Sequence, residues 1–136
     1  MKGNIIFPLS FYVLVVAYKE LMILDTGTHL VMGIAIGGLA LVDPVVADSS
    51  VMFGAVMAGT ILGQQAPDID TVLKLRNNAV YIRHHRGITH SIPAVLLWPI
   101  AITAVLMLFF SDANLFHLWL WTQIAVFLHV FVDIFN

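Results

Sequence analysis

The stretch IPAVLLWPIAITAVLMLFF, residues Ile92–Phe110, contains no charged side chain. Its length is close to the roughly 20 residues that an α-helix needs to cross the hydrocarbon core of a bilayer. Pro93 lies in its first turn, where a missing N–H costs little, and Pro99 marks a position at which such a helix can kink. The stretch therefore predicts a transmembrane helix.

The composition of the whole chain agrees with this prediction. Of its 136 residues, 60% are hydrophobic and 10% are charged, and the mean hydropathy is +0.96. An ordinary soluble domain has about 25% charged residues. The net charge of −2 excludes a basic nucleic-acid binder, so no nucleic-acid partner is expected. The chain has no cysteine, which excludes a disulfide-stapled module and a thiolate metal site.

Three further apolar stretches of the chain are candidates for helices within the bilayer. A second long span is predicted from about Leu115 to Ile134. Two shorter stretches come earlier: His29–Val42, which ends at Asp43-Pro44, and Val51–Gly63. Both are short for a span, so tilted or partly re-entrant helices are alternatives. We expect an all-α integral membrane bundle of about four transmembrane or partly re-entrant helices plus an apolar N-terminal segment.

Each of the two shorter stretches carries glycines four residues apart, Gly33 and Gly37 in one and Gly59 and Gly63 in the other. This spacing favours close contacts between helices in lipid. The alternative is that glycine is simply part of the general composition of membrane helices.

The N-terminal stretch Ile5–Tyr18 is apolar and is followed by Lys19-Glu20. With Lys2 ahead of it, it has the outline of a signal sequence, but no convincing cleavage site follows. A fifth helix, an interfacial anchor and an upstream extension of the reading frame are all consistent with it. We expect an apolar extension over residues 1–24 and a membrane-embedded domain over residues 25–136.

The basic residues predict the orientation of the helices. Lys74, Arg76, Arg83 and Arg86 all lie in the long connection between about residues 64 and 91. The connections at residues 43–50 and 111–114 contain no Lys or Arg. By the positive-inside rule, the long connection is cytoplasmic and the two short ones face outward.

Four groups of polar residues then fall at the cytoplasmic ends of the helices. They are His29, the pair Asp68 and Asp70, the stretch from Arg83 to Ser91 with His85 and His90, and the pair His129 and Asp133. We therefore expect them to converge on one site. His117 falls on the opposite side and is left out.

The chemistry of these groups suits a divalent metal. His129 and Asp133 are four residues apart and share one helix face, and imidazole and carboxylate are preferred Zn²⁺ donors. The alternative is a His–Asp pair that only stabilises a helix end. For Asp68 and Asp70 the alternative is a solvated turn. For the segment that contains Arg86 it is a cytosolic anchor at anionic head groups.

Taken together, these motifs resemble the YdjM-like family from about Asp25 to Asn136. The motifs are an early His, Pro-Asp-Ile-Asp at 67–70, His-Arg-Gly-Ile-Thr-His-Ser at 85–91, and His-x3-Asp at 129–133. The family is described as LexA-regulated, bacterial inner-membrane, metal-dependent hydrolases. His84 lies outside its pattern and residues before Asp25 match nothing in it. Members continue past the position of Asn136, so this chain is a candidate fragment.

The resemblance implies a set of metal ligands, namely His29, Asp68, Asp70, His85, His90, His129 and Asp133. The YdjM-like family is in turn more distantly similar to zinc-dependent phospholipase C and related zinc nucleases. This similarity implies hydrolysis of a phosphoester. One of Asp68 and Asp70 would then ligate and the other act as general base, and Arg86 would hold a phosphate oxygen.

The leading hypothesis is thus a bacterial inner-membrane hydrolase with one or more Zn²⁺ ions at the cytoplasmic face. Its substrate would be a phosphoester, lipid-linked if the site lies at the head groups. The alternatives are a non-catalytic, metal-stabilised membrane scaffold or regulatory protein, and a divalent-ion transporter. Clustering of the ligands at one face argues against a transporter, whose site would lie near the midplane.

Overall fold

The computed structural model describes residues 6–68 and 92–135, and within these ranges all regular secondary structure is helical. The prediction of an all-α fold is confirmed. The helices are α1 (Ile6–Leu39), α2 (Pro44–Ala47), α3 (Ser50–Gln65), α4 (Ile92–Phe109) and α5 (Leu115–Phe135), with short 3-10 turns at Ala40–Val42 and Ala66–Asp68.

Helices α4 and α5 are each long and apolar enough to cross a membrane. Their bounds agree with the two long predicted spans to within one residue. Pro99 lies inside α4 and has no N–H to donate to the carbonyl of Val95, one turn earlier. The Nε2 of Gln123 in α5 donates to that carbonyl instead, at 3.2 Å. The proline thus leaves an acceptor on α4 that α5 satisfies.

Helix α1 differs from the prediction that a helix begins near His29. It is 34 residues long and continues without a break through Lys19-Glu20 and through residues 25–28, so the predicted start is wrong. Lys and Glu are good helix formers, and a polar pair therefore interrupts the apolar pattern without interrupting the backbone. The hydroxyl of Thr28 donates to the carbonyl of Leu24 at 2.8 Å, which satisfies it inside the helix.

Helix α3 lies at the centre of the bundle, between α1 on one side and α5 on the other, and α4 packs against α5 and α3. The spaced glycines lie at these contacts. A Cβ placed on Gly33 would lie 2.8 Å from Cα of Ile61 in α3, and one on Gly63 would lie 3.1 Å from Cβ of Ala125 in α5. The small residues therefore allow α3 to approach both of its neighbours closely.

The apolar core lies around the first half of α3. Its buried members include Met52, Ala55, Val56, Ile102, Leu106, Leu118 and Val126. Two clusters of ionisable side chains lie at the ends of this core, around His29 and His129 at one end and around Asp43 and His117 at the other.

Candidate metal centre

Two histidines and two aspartates from three separate segments meet at one end of the bundle. His29 comes from α1, Asp68 from the 3-10 turn that follows α3, and His129 and Asp133 from α5. His129 and Asp133 face the same way because residues four apart share a helix face. Asp68 lies near them because the 3-10 turn Ala66–Asp68, which follows directly on α3, contacts α5.

Asp133 is the residue that connects the two histidines. Its Oδ1 lies 3.2 Å from Nε2 of His29, and its Oδ2 lies 3.2 Å from Nε2 of His129. The Oδ1 of Asp68 lies 3.4 Å from the same Nε2 of His129. The two imidazole rings are stacked, with 3.9 Å between their centroids. One nitrogen of each histidine and one oxygen of each aspartate all lie within 4.8 Å of one another.

The burial of these four side chains is uneven. The side chains of His29 and His129 are 1% and 0% exposed, whereas those of Asp133 and Asp68 are 15% and 21% exposed. The two histidines are therefore more deeply buried than the two carboxylates.

Gln64, in the last turn of α3, contacts both histidines and was not predicted as a site residue. It is completely buried. Its Oε1 lies 3.0 Å from Nδ1 of His29, and its backbone carbonyl oxygen lies 2.6 Å from Nδ1 of His129. Its Nε2 donates to the carbonyl of Ala125 in α5 at 2.9 Å. The sequence shows Gln64 only as a polar residue where an apolar stretch ends, so no pattern singles it out.

A family model described as "YdjM inner membrane protein" matches residues 24–136. The chain belongs to the YdjM family. The resemblance predicted from the motifs is thereby confirmed, and the family description agrees with the apolar helices α4 and α5.

A curated relative from Bacillus subtilis (strain 168), "Uncharacterized protein YfhP", is 67% identical over 113 residues. These residues are 83% of the present chain and 35% of the relative, so the chain spans about a third of the length of that protein. No solved structure matches the chain.

Of the seven metal ligands expected for a YdjM-family chain, the structure brings together His29, Asp68, His129 and Asp133. The other three, Asp70, His85 and His90, lie outside the described residues, as do Arg86 and His84. The donors that do meet are of the types that Zn²⁺ prefers, imidazole nitrogen and carboxylate oxygen. The group could hold a divalent metal ion.

His117 lies at the opposite end of α5, about 18 Å from His129 at the rise of an α-helix. Its Nδ1 donates to the carboxylate of Asp43, which also accepts from Nε1 of Trp121 at 3.1 Å and from the backbone N–H of Val45 at 3.0 Å. The hydrogen bond from His117 holds the pKa of Asp43 below its ordinary value. This second cluster ties the start of α2 to α5 and contributes nothing to the metal centre.

Proposed function

We propose that the chain is a membrane-bound, metal-dependent hydrolase domain whose divalent ion, most simply Zn²⁺, is held by His29, Asp68, His129 and Asp133. The observation that carries the proposal is the meeting of four donor atoms within 4.8 Å. Exposed acidic groups are common without an ion, whereas this cluster joins α1, the turn after α3 and α5, and both of its histidines are buried. Ionisable groups within membrane helices mark functional sites by default.

We place the centre at the cytoplasmic face of an inner membrane, in a multi-pass domain. In this arrangement α1, α3, α4 and α5 are transmembrane or partly re-entrant. The basic residues of the connection after α3 support the orientation, because positively charged connections stay in the cytoplasm. Helix α3 has 16 residues and is about 24 Å long, shorter than the roughly 30 Å hydrocarbon core, which favours a partial or tilted crossing.

A divalent ion bound here would supply a Lewis acid and a water activated near neutral pH. Asp133, with one oxygen toward each imidazole, keeps both rings aimed at the same point. Asp68 is assigned as a ligand, which leaves Asp70, two residues along the chain, as the general base. Arg86 would hold a phosphate oxygen, and His85 and His90 would extend the ligand set of the same centre.

The proposed substrate is a phosphoester. The position of the centre at the end of the helices, where head groups lie, favours a lipid-linked one. We assign the less deeply buried carboxylate side of the cluster as the side from which such a substrate approaches.

One observation favours a non-catalytic scaffold as the second candidate. The four donors that meet are the number that a closed, tetrahedral structural zinc site requires. In that case the ion would only join α1, α3 and α5, and no position would be open to water.

Metal analysis of protein purified in detergent tests the binding site. We expect metal in the wild type and its loss in His129→Ala and Asp133→Ala. His117→Ala and Asp112→Ala are matched controls at the opposite end of the bundle and should keep it. Equal and negligible metal in the wild type and all four variants would contradict the proposal.

Catalysis needs its own experiment, namely metal-dependent hydrolysis of a generic phosphodiester and of a phospholipid in mixed micelles. Asp70→Asn should abolish turnover and retain bound metal, because the four clustered donors are left intact. A wild type that binds metal tightly and turns over neither substrate would favour the scaffold.

A further inference from the structure

A groove lies between α4 and α5, in the half of the bundle away from the metal centre. It is lined by Ile100, Thr103 and Ala104 from α4 and by Leu115 and Trp119 from α5, and its volume is about 280 Å³. The hydroxyl of Thr103 is buried, so the exposed lining is almost entirely carbon. Because Ile100, Ala104 and Leu115 are exposed, the groove is open along the surface of the bundle.

The depth of the groove matches one leaflet of a bilayer. At the rise of an α-helix, Ile100 lies about 14 Å before the end of α4 at Phe109, and Trp119 lies about 6 Å after the start of α5. Half of the hydrocarbon core of a bilayer is about 15 Å thick. The groove therefore lies level with the alkyl chains of a single leaflet, the one at the opposite end of the helices from His129.

An alkyl chain alone gives such a groove little selectivity. Inside a bilayer the chain leaves one apolar environment for another, so no hydrophobic driving force favours the bound state. Selective binding of a lipid therefore requires a contact with its head group. The connection between α4 and α5 is placed to make one, because it joins the helix ends next to the groove. It carries Asp112, which is exposed and has no hydrogen bond or ion pair within the described residues.

The charges at this end of the bundle indicate which head group fits. The two connections here, residues 43–50 and 111–114, contain Asp43, Asp48 and Asp112 and no Lys or Arg. Asp43 already accepts hydrogen bonds from His117 and Trp121, whereas Asp112 is available. A lipid phosphate alone would be repelled by these carboxylates. A primary ammonium in the same head group would reverse this, because it donates charge-assisted hydrogen bonds to a carboxylate.

We propose that the groove between α4 and α5 is a lipid-binding site. It takes one alkyl chain of a phospholipid whose head group carries a primary ammonium, and Asp112 binds that ammonium. The site lies at the opposite end of the bundle from the metal centre and shares no residue with it. The proposal therefore goes beyond the hydrolase function and does not depend on it.

The test uses the full-length chain in detergent micelles and follows tryptophan fluorescence during titration with phospholipids. Phosphatidylethanolamine and phosphatidylglycerol are compared with the same brominated chains, because bromine quenches a tryptophan that it contacts. We expect saturable quenching, with phosphatidylethanolamine bound about two- to fivefold more tightly, the size of effect that an exposed ion pair produces. Trp119→Phe should remove the saturable part and so assign it to the groove. No saturable quenching, or equal affinity for the two lipids, would overturn the proposal.

A substitution within the groove tests where the chain binds. Ala104→Phe fills the groove and should abolish the saturable quenching. Ala101→Phe is the matched control, since it adds the same ring at an exposed position of α4 that does not line the groove, and it should bind lipid as the wild type does. Circular dichroism checks that both variants are folded. Unchanged quenching in a folded Ala104→Phe protein would overturn the proposal.

The head-group contact is tested separately. Asp112→Asn should abolish the preference for phosphatidylethanolamine and keep the binding of the chain, whereas Asp48→Asn, an exposed aspartate of the neighbouring connection, should keep the preference. A preference that survives in Asp112→Asn contradicts the role of this residue. Metal content is measured on the same samples and should be the same in all variants. If no sample holds metal but the lipid results are as expected, the proposed function fails and the lipid site stands.

Discussion

The contact between α1 and α3 at Gly33 makes a quantitative prediction for Gly33→Ala. The new Cβ would lie 2.8 Å from Cα of Ile61 and 3.1 Å from the carbonyl oxygen of Thr60. Both are backbone atoms and cannot rotate away. Because ordinary contacts of a Cβ begin at 3.4 Å, the two helices would have to separate locally by about 0.6 Å to restore one. The hydrogen bond from the Thr60 hydroxyl to the Gly33 carbonyl, 2.9 Å long, would be stretched as well.

The magnitude follows from these contacts. Overpacking typically costs about 1–3 kcal/mol, and an interhelical hydrogen bond in a membrane protein contributes about 0.6 kcal/mol. The higher helix propensity of alanine offsets about 1 kcal/mol of this. Gly38→Ala is the matched control, because nothing lies within 4 Å of its Cβ position and it has the same propensity gain. The free energies of unfolding of the two variants should therefore differ by about 2–4 kcal/mol, with Gly33→Ala the less stable.

The measurement is reversible unfolding in mixed micelles, followed by circular dichroism and by tryptophan fluorescence, which reports on α4 and α5 because all three tryptophans lie there. His29 lies one turn before Gly33, so the metal affinity of Gly33→Ala should fall together with its stability. Equal stability of the Gly33→Ala and Gly38→Ala proteins would refute the close contact between α1 and α3.

Three further predictions follow. Gln123→Leu should lower the free energy of unfolding by about 1 kcal/mol, because the carbonyl of Val95 loses its donor. The loss should be smaller in a Pro99→Ala background, where the backbone N–H of residue 99 can donate to that carbonyl. A double-mutant cycle in unfolding experiments checks this. The hydrogen bond from His117 lowers the pKa of Asp43 in the folded protein. The contribution of this hydrogen bond to stability should therefore be fully present above pH 3.8, the ordinary pKa of the carboxyl group, and be lost as the pH falls through the lower pKa of the folded protein. Unfolding of the wild type and Asp43→Asn at several pH values should therefore converge in strong acid, and a constant difference would argue against the pair. Zn²⁺ at a hundred times its dissociation constant should raise the free energy of unfolding by about 2.7 kcal/mol, an effect that a chelator reverses and that calorimetry can measure.

The convergence of the metal-site residues could be predicted because it depends on helix direction alone. Once α4 and α5 are assigned as spans and the basic connection is placed on one side, the ends that carry His129 and Asp68 must lie at the same face. The four residues that meet in the structure belong to that predicted set. Which side chains touch depends on the rotation of each helix about its axis. For α5, the His-x3-Asp spacing already predicts that His129 and Asp133 lie on one helix face.

Gln64 could not be predicted because its role depends on three features at once. These are the rotation of α3, the end of that helix just before Pro67, and the distance from α3 to α5. The uninterrupted course of α1 has a different cause. Lys19 and Glu20 end the apolar pattern, but both residues favour helix, so the backbone continues through them.

The uneven burial of the metal centre bears on whether it is catalytic. A closed structural site has no need for solvent on one side, yet the carboxylates of Asp68 and Asp133 are partly exposed while both histidines are buried. In the sequence, the segment that carries Asp70 and Arg86, the residues proposed to act on substrate, follows directly on Asp68. If the centre is catalytic, Asp70→Asn should change turnover and leave metal affinity and unfolding unchanged. If the centre only joins helices, the wild type should show no turnover, and Asp70→Asn should differ from it in none of these three measurements.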